Sequence, residues 1–333
     1  MVTGGAGFIG SNFVRYVLKH SDDVKVVNVD CLTYAGNLGN LTDIADDPRY
    51  VLEKYDICNT DEIVAACQKH DVDSIVHFAA ESHVDRSITG PGEFVRTNVQ
   101  GTLSMLQAAR AAGDVRFLQV GTDEVYGSLG EEGLFTEETP LDPHSPYSAS
   151  KAAADHLVSA FGTTYGLPVL TTRCSNNYGP YQFPEKMIPL MINNARHDKP
   201  LPVYGDGSNV RDWLYVEDHC SALWAVLTKG DAGRVYNIGG NSEKRNLAVV
   251  VAILRYLDKP DSLIQFVTDR PGHDFRYAID ASRIYEELGW QPSVSFETGL
   301  AQTIQWYLDN QDWLDQVVSG AYKNYYESMY AGR

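Results

Sequence analysis

The chain has 333 residues, 44% of them hydrophobic, which is enough for one large α/β domain with a smaller one and does not suit a disordered polypeptide. A formal net charge of −17 disfavours general binding to nucleic acid or to an anionic membrane, so an anionic ligand has to be held by a few local cations such as Lys186, Arg211 and Arg270. Cys31, Cys58, Cys67, Cys174 and Cys220 are scattered without C-x-x-C spacing and no apolar run reaches a membrane span, so reduced thiols, no metal site and a cytoplasmic protein are expected.

The chain opens Met1-Val2-Thr3-Gly4-Gly5-Ala6-Gly7-Phe8-Ile9-Gly10, followed by Phe13, Val14, Tyr16, Val17 and Leu18 at helical spacing. This pattern predicts strand, tight glycine turn and helix, with Gly4, Gly7 and Gly10 letting the backbone approach a pyrophosphate at the helix N-terminus. Only Met1, Val2 and Thr3 precede the turn, so the first strand, central in a doubly wound sheet, is expected to be very short and to cost stability. The next strand, Val24 to Val29, ends in Asp30, about 20 residues beyond the last glycine, where an acid can accept hydrogen bonds from the ribose of a dinucleotide. Cys31 and Leu32 follow where a 2′-phosphate would need Arg or Lys, which favours NAD over NADP.

Strand and helix then alternate. Tyr50 to Glu53 leads to Asp56-Ile57, Asp61 to Lys69 is predicted helical, and Ser74 to Phe78 is a buried strand ending in Ala79-Ala80-Glu81-Ser82-His83, whose small residues leave room for a dinucleotide. Glu93 to Ala112 is expected to form one long helix. Val115 to Val120 is β-rich and delivers Gly121-Thr122-Asp123-Glu124 beyond a strand's carboxyl end, where open α/β sheets bind ligands. Two neighbouring carboxylates in a partly desolvated site oppose each other's ionisation, which separates one acid from one base. Pro146 marks a helix start, and Tyr147 and Lys151, four residues apart, share one face of that helix.

After Pro168 to Arg173 the alternation fades, and Cys174 to Pro180 reads as a turn-rich crossing near a domain boundary. We expect a dinucleotide-binding domain over 1–175 and a smaller substrate-binding domain over 176–333, with about 210–240 returning to the first. Met187 to Ala195, Val216 to Leu227, Asn246 to Leu257, Ala281 to Leu288 and Phe296 to Asp309 are predicted helices, before a tyrosine-rich tail.

Taken together, the opening glycines, Asp30, the Ala79-Ala80 strand end, Thr122-Asp123-Glu124 and the Tyr147/Lys151 pair resemble the extended short-chain dehydrogenase/reductases. Ser175 to Tyr181, Pro184-Glu185-Lys186 and Asp269 to His273 extend the resemblance essentially end to end, most closely to the branch that dehydrates dTDP-glucose. The related 4-epimerases carry small hydroxyl residues where this chain has its two carboxylates.

The resemblance implies a Rossmann-type parallel sheet, NAD as cofactor, a nucleotide sugar as substrate and a homodimer built on Glu93 to Ala112 and Tyr147 to Tyr165. It implies Tyr147 as the base at the sugar 4-hydroxyl and Lys151 as the cation that lowers its pKa. Glu124 would be the base at carbon 5, Asp123 the acid at the 6-hydroxyl, and Thr122 a hydrogen-bonding partner near the carbon 4 oxygen. Around NAD it places Gly4, Gly7, Phe8, Ile9, Gly10, Asp30, Cys31, Leu32, Thr33, Asp56, Ile57, Phe78, Ala79, Ala80, Ser82, Thr97, Tyr147, Lys151 and Asn177. Around the nucleotide sugar it places Ser82, Thr122, Asn176, Lys186, Met187, Pro202, Tyr204, Arg211, Asn246, Arg270 and His273, with Arg211 and Arg270 suited to bidentate contact with a diphosphate. An epimerase or decarboxylase of the same fold, or an NAD-binding regulator, are the alternatives; a regulator has no use for Asp123, Glu124, Tyr147 and Lys151 together.

Overall fold

The structure, a computed structural model, describes residues 1–318, so the tyrosine-rich tail lies outside the described residues. Its centre is a seven-stranded sheet, ordered from one edge Val235–Ile238, Val169–Cys174, Arg116–Thr122, Ser74–His77, Val2–Thr3, Val26–Val29 and Tyr50–Glu53. Every neighbouring pair runs parallel. The order reverses direction between Val2–Thr3 and Ser74–His77, and the crevice outside the carboxyl ends at such a switch point is where ligands enter.

Both faces of the sheet are covered, which is why its strands read as continuous apolar runs. Successive residues supply opposite cores: Val76, Leu118 and Leu170 pack with Phe13, Val14 and Leu223 on one side, while Ile75, Phe117 and Val169 pack with Ile63, Met105 and Val158 on the other. The first strand is two residues long, yet Met1 extends the ladder, its carbonyl accepting the Val76 N–H at 2.9 Å. Thr3 beside it bonds the buried His77 at 2.7 Å. Burial, with the charge of Lys151 as the lesser cause, lowers the His77 pKa to about 3, so this histidine is neutral and structural.

A second core gathers Tyr178, Ile192, Trp213, Val250, Ile253 and Leu300. Two small sheets frame it: Asn176–Tyr178 and Glu243–Arg245 flank Val210–Tyr215, and Leu201–Tyr204 pairs with Ile264–Val267. The stretch read as a turn-rich crossing therefore contains strand Asn176–Tyr178. The segment that returns to the main sheet begins at Val216 rather than near 210, because Val210–Tyr215 is the middle strand of a small sheet. Helix Val216–Lys229, strand Val235–Ile238 and the later residues Ile284 and Trp290 all join the main core.

The long helix expected over Glu93 to Ala112 is three pieces: α-helix Pro91–Phe94, π-helical turns Val95–Gly101 and α-helix Thr102–Ala111. The π turns carry Asn98, whose amide bonds the Glu81 N–H at 2.8 Å, the Glu81 carbonyl at 2.9 Å and the Ser150 hydroxyl at 2.8 Å. Asn98 thereby ties the loop after Ser74–His77 to the helix bearing Tyr147, and interruptions of this kind often sit at functional sites. No helix among the described residues is long and apolar enough to cross a membrane.

Candidate active site

Helix Phe8–His20 starts at Gly7 with no side-chain cap and no acid in its first turn, so its leading N–H groups are left for an anion. Gly4, at φ +70, lies so near the strand beside it that a Cβ there would sit 2.8 Å from Ala79 N, and one at Gly10 would press on Gly5 Cα at 2.8 Å. Asp30, only 7% exposed, accepts N–H groups from Ala6 at 2.9 Å and Leu32 at 2.8 Å, which aims its carboxylate across the glycine turn. Phe78, Ala79, Ala80 and Ser82 follow the neighbouring strand, all partly exposed, and Cys31 and Thr33 form the outer rim. These features fit a dinucleotide: a turn that only glycine permits, an uncapped helix end for its phosphates and an acid for its ribose.

Asp56 bonds Arg96. Ile57 is buried in the core. Thr97 lies on the π turns, and the Asn177 side-chain oxygen accepts from His219 Nδ1 at 2.8 Å. Asp56 acts electrostatically on Cys31 at the rim of this cleft, and Asn177 lies on the small sheet.

Strand Arg116–Thr122 ends in a 3₁₀ turn, Asp123–Tyr126, capped by the Thr122 hydroxyl, which accepts the Glu124 N–H at 3.3 Å. Helix Pro146–Tyr165 begins with proline and a Ser145/Ser148 capping box, which fixes the first turn that carries Tyr147. Asp123 is 2% exposed, and its Oδ2 has no hydrogen-bond partner among the described residues. Burial, then the charges of Glu124 and Asp212, push its carboxyl well above the ordinary range. Glu124 is raised too, by burial, but Lys186, Arg211 and Arg270 pull against that.

Tyr147 and Lys151 are both buried, and the Lys151 ammonium donates to the Val120 carbonyl at 2.8 Å. The Tyr147 phenol is pushed well above its usual pKa by burial and by Glu124, with a hydrogen bond from Thr122 opposing. The direction is opposite to the lowering expected from Lys151, and burial is its largest cause, followed by the charge of Glu124.

A cavity opens beside Glu124, walled by Lys186, Arg211, Asn246, Arg270 and His273, with Asn176, Met187, Pro202 and Tyr204 completing it. The side-chain oxygens of Asn176 and Asn246 are buried there without a partner among the described residues, a state that a polar ligand relieves. Two residues expected at the sugar lie off this wall: Ser82 offers its carbonyl to Lys186 Nζ at 2.8 Å, and Thr122 sits behind Glu124 as its cap.

Both arginines are partly engaged by the chain itself. Arg211 donates from Nη1 to the Val210 carbonyl at 2.7 Å and from Nη2 to the Asp274 carbonyl at 2.9 Å, and it stacks 4.3 Å from the Tyr277 ring centroid. Part of its fork is committed to the chain itself, and the rest of the guanidinium, with its charge, is left to the cavity. Arg270 makes a two-point pair with the buried Asp85, both contacts at 2.9 Å. Asp85, Asn98 and Tyr277 have no place in the sequence-based reading. Asp85 sits on a helix only six residues long, Val84–Thr89, too short to show a period, and its partner is 185 positions away.

The family model described as GDP-mannose 4,6 dehydratase matches residues 1–303. The chain is similar to the dTDP-glucose 4,6-dehydratase of Xanthomonas campestris pv. campestris (strain B100), at 57% identity over 97% of each chain. Among solved structures it resembles the dTDP-glucose 4,6-dehydratase of Bacillus anthracis in complex with NAD, with TM-score 0.89 and 53% identity over 95% of this chain and 98% of that one. It also resembles the Streptomyces venezuelae dTDP-glucose 4,6-dehydratase solved with NAD and TDP bound, with TM-score 0.92 and 49% identity over 95% of this chain and 98% of that one.

Proposed function

The chain belongs to the GDP-mannose 4,6-dehydratase family, within the extended short-chain dehydrogenase/reductases, and from that premise we propose that it dehydrates dTDP-glucose to dTDP-4-keto-6-deoxyglucose. It is an NAD-dependent lyase. NAD, which the glycine turn and Asp30 would hold, would supply a hydride acceptor for carbon 4 of the sugar and a hydride donor for carbon 6. The single observation that carries the reading is the Asp123-Glu124 pair: adjacent carboxylates, one buried without a partner for Oδ2 among the described residues, the other on the cavity wall under the charge of three cations.

Tyr147 receives the proton of the 4-hydroxyl as its phenolate, the form that the Thr122 hydrogen bond favours against burial and for which the Lys151 ammonium on the same helix supplies a compensating charge. The ketone so formed acidifies the carbon 5 hydrogen. Glu124 removes it in its ionised form, which Lys186, Arg211 and Arg270 favour against the upward pull of burial. Asp123, protonated because burial and Glu124 disfavour its charge, gives its proton to the departing 6-hydroxyl. Glu124 then returns a proton to carbon 5, and the proton that Tyr147 took replaces the one Asp123 gave. The balance is one water lost. Turnover in D2O tests this: the product is expected to carry deuterium at carbon 5, and its absence there would contradict a base at that carbon.

The same pair sets the pH dependence. Activity should rise as pH increases through the raised pKa of Glu124, which must be ionised, and fall again where Asp123, also raised, loses the proton it must keep. A kcat profile that is flat through the acid limb would contradict this assignment.

A homodimer is the proposed assembly. Val95 is 56% exposed on the π turns, and Ala149, Ala153, Leu157 and Ala160 line the outer side of the Tyr147 helix, a strip of small apolar residues that suits close helix packing. Light scattering at micromolar concentration should give twice the chain mass, and a monomer would refute the pairing. The buried free thiols of Cys67, Cys174 and Cys220 are in keeping with a cytoplasmic location.

A further inference from the structure

The loop after Asp30 curls back on that carboxylate: Leu32 donates to its Oδ1 at 2.8 Å, and a Cβ at Gly36 would lie 2.8 Å from the same oxygen. From this loop Tyr34 reaches across to the segment before helix Met187–Arg196. Its hydroxyl donates to Glu185 Oε1 at 3.1 Å, and its ring meets Phe183 edge-on with centroids 5.6 Å apart. Arg86 closes the cluster, its guanidinium carbon 3.9 Å from the Tyr34 ring centroid and its Nε 3.3 Å from Glu185 Oε2. The Glu185 side chain is 2% exposed, so its charge depends on these partners. Lys186, the next residue, lies on the wall of the sugar cavity and is fastened to the Ser82 carbonyl at 2.8 Å.

We propose that Tyr34, Arg86 and Glu185 form a lock that fastens the loop over the adenosine-ribose end of the dinucleotide site to the wall of the sugar pocket, so that NAD leaves only after the lock opens. The inference rests on reading the Asp30 cleft as the NAD site. Three elements far apart in the chain meet at one dry carboxylate, and Tyr34, Arg86 and Glu185 have no part in the proton transfers. A reaction that takes a hydride and returns it in the same cycle fails whenever the reduced cofactor escapes midway. A closure separate from the reacting groups prevents that escape without constraining the chemistry.

The test measures release directly. Wild type, Tyr34→Phe and Arg86→Ala are loaded with radiolabelled NAD, chased with excess unlabelled NAD and sampled by rapid gel filtration. Arg86→Ala loses a charge-assisted hydrogen bond and the stacked cation together, so release should be about tenfold faster or more. Tyr34→Phe keeps the ring and loses one hydrogen bond, so its release should be about threefold faster; this mild change decides the matter if Arg86→Ala folds poorly. Release at the wild-type rate from both variants overturns the lock. A wild-type protein that takes up no labelled NAD at all overturns the dinucleotide reading on which it rests, and the two failures are distinct.

Discussion

Glu124→Gln is expected to lower kcat by about a hundred- to ten-thousandfold, the usual contribution of a positioned base. The substitution keeps the volume of the side chain on the cavity wall and removes only its capacity to take a proton. Oxidation at carbon 4 should survive, whereas exchange of the carbon 5 hydrogen with solvent deuterium should stop. Asp123→Asn supplies the contrast. It keeps a hydrogen-bonding group at a buried position, so it should slow loss of the 6-hydroxyl while carbon 5 exchange continues. The two variants read different bonds, and carbon 5 exchange at the wild-type rate in Glu124→Gln with none in Asp123→Asn would require the two roles to be swapped.

Tyr147→Phe should be at least as damaging, by about a hundred- to ten-thousandfold in kcat, and should stop every step, because phenylalanine cannot receive the 4-hydroxyl proton on which the later steps depend. The variant should fold: Tyr147 is 8% exposed and its ring meets Phe94 edge-on at 6.2 Å, a contact that phenylalanine retains. Neither oxidation at carbon 4 nor carbon 5 exchange should then be detectable. Carbon 5 exchange persisting at the wild-type rate in Tyr147→Phe would show that another group starts the reaction.

How much of this was legible in the chain follows from the range of each signal. The sheet was readable because its strands are buried on both faces, so runs such as Ile75-Val76 and Phe117-Leu118 feed both cores at once. Asp30, Asp123, Glu124 and Tyr147 were readable because each sits at a strand end or helix start with local punctuation. What sequence reasoning missed depends on distant partners or on backbone paths without local markers. Tyr34 meets Glu185 across 151 positions, and Asp85 meets Arg270 across 185. The π turns at Val95–Gly101 leave the apolar spacing of a helix nearly unchanged, so the stretch passes for α-helix while it positions Asn98. Arg211 was expected to grip a diphosphate with both arms. Main-chain carbonyls at Val210, Asp274 and Phe275 take up part of the fork, and the last two come from a segment more than sixty positions away in the chain.

The central claim is that one active site oxidises the sugar, removes water and returns the same hydride. The most direct measurement uses dTDP-glucose deuterated at carbon 4, incubated with the purified protein and followed by mass spectrometry and NMR of the product. The account predicts loss of one water, deuterium retained at carbon 6, and no accumulation of NADH in step with product. A nucleotide sugar of unchanged mass, or a dehydrated product whose deuterium has been lost from carbon 6, would contradict it.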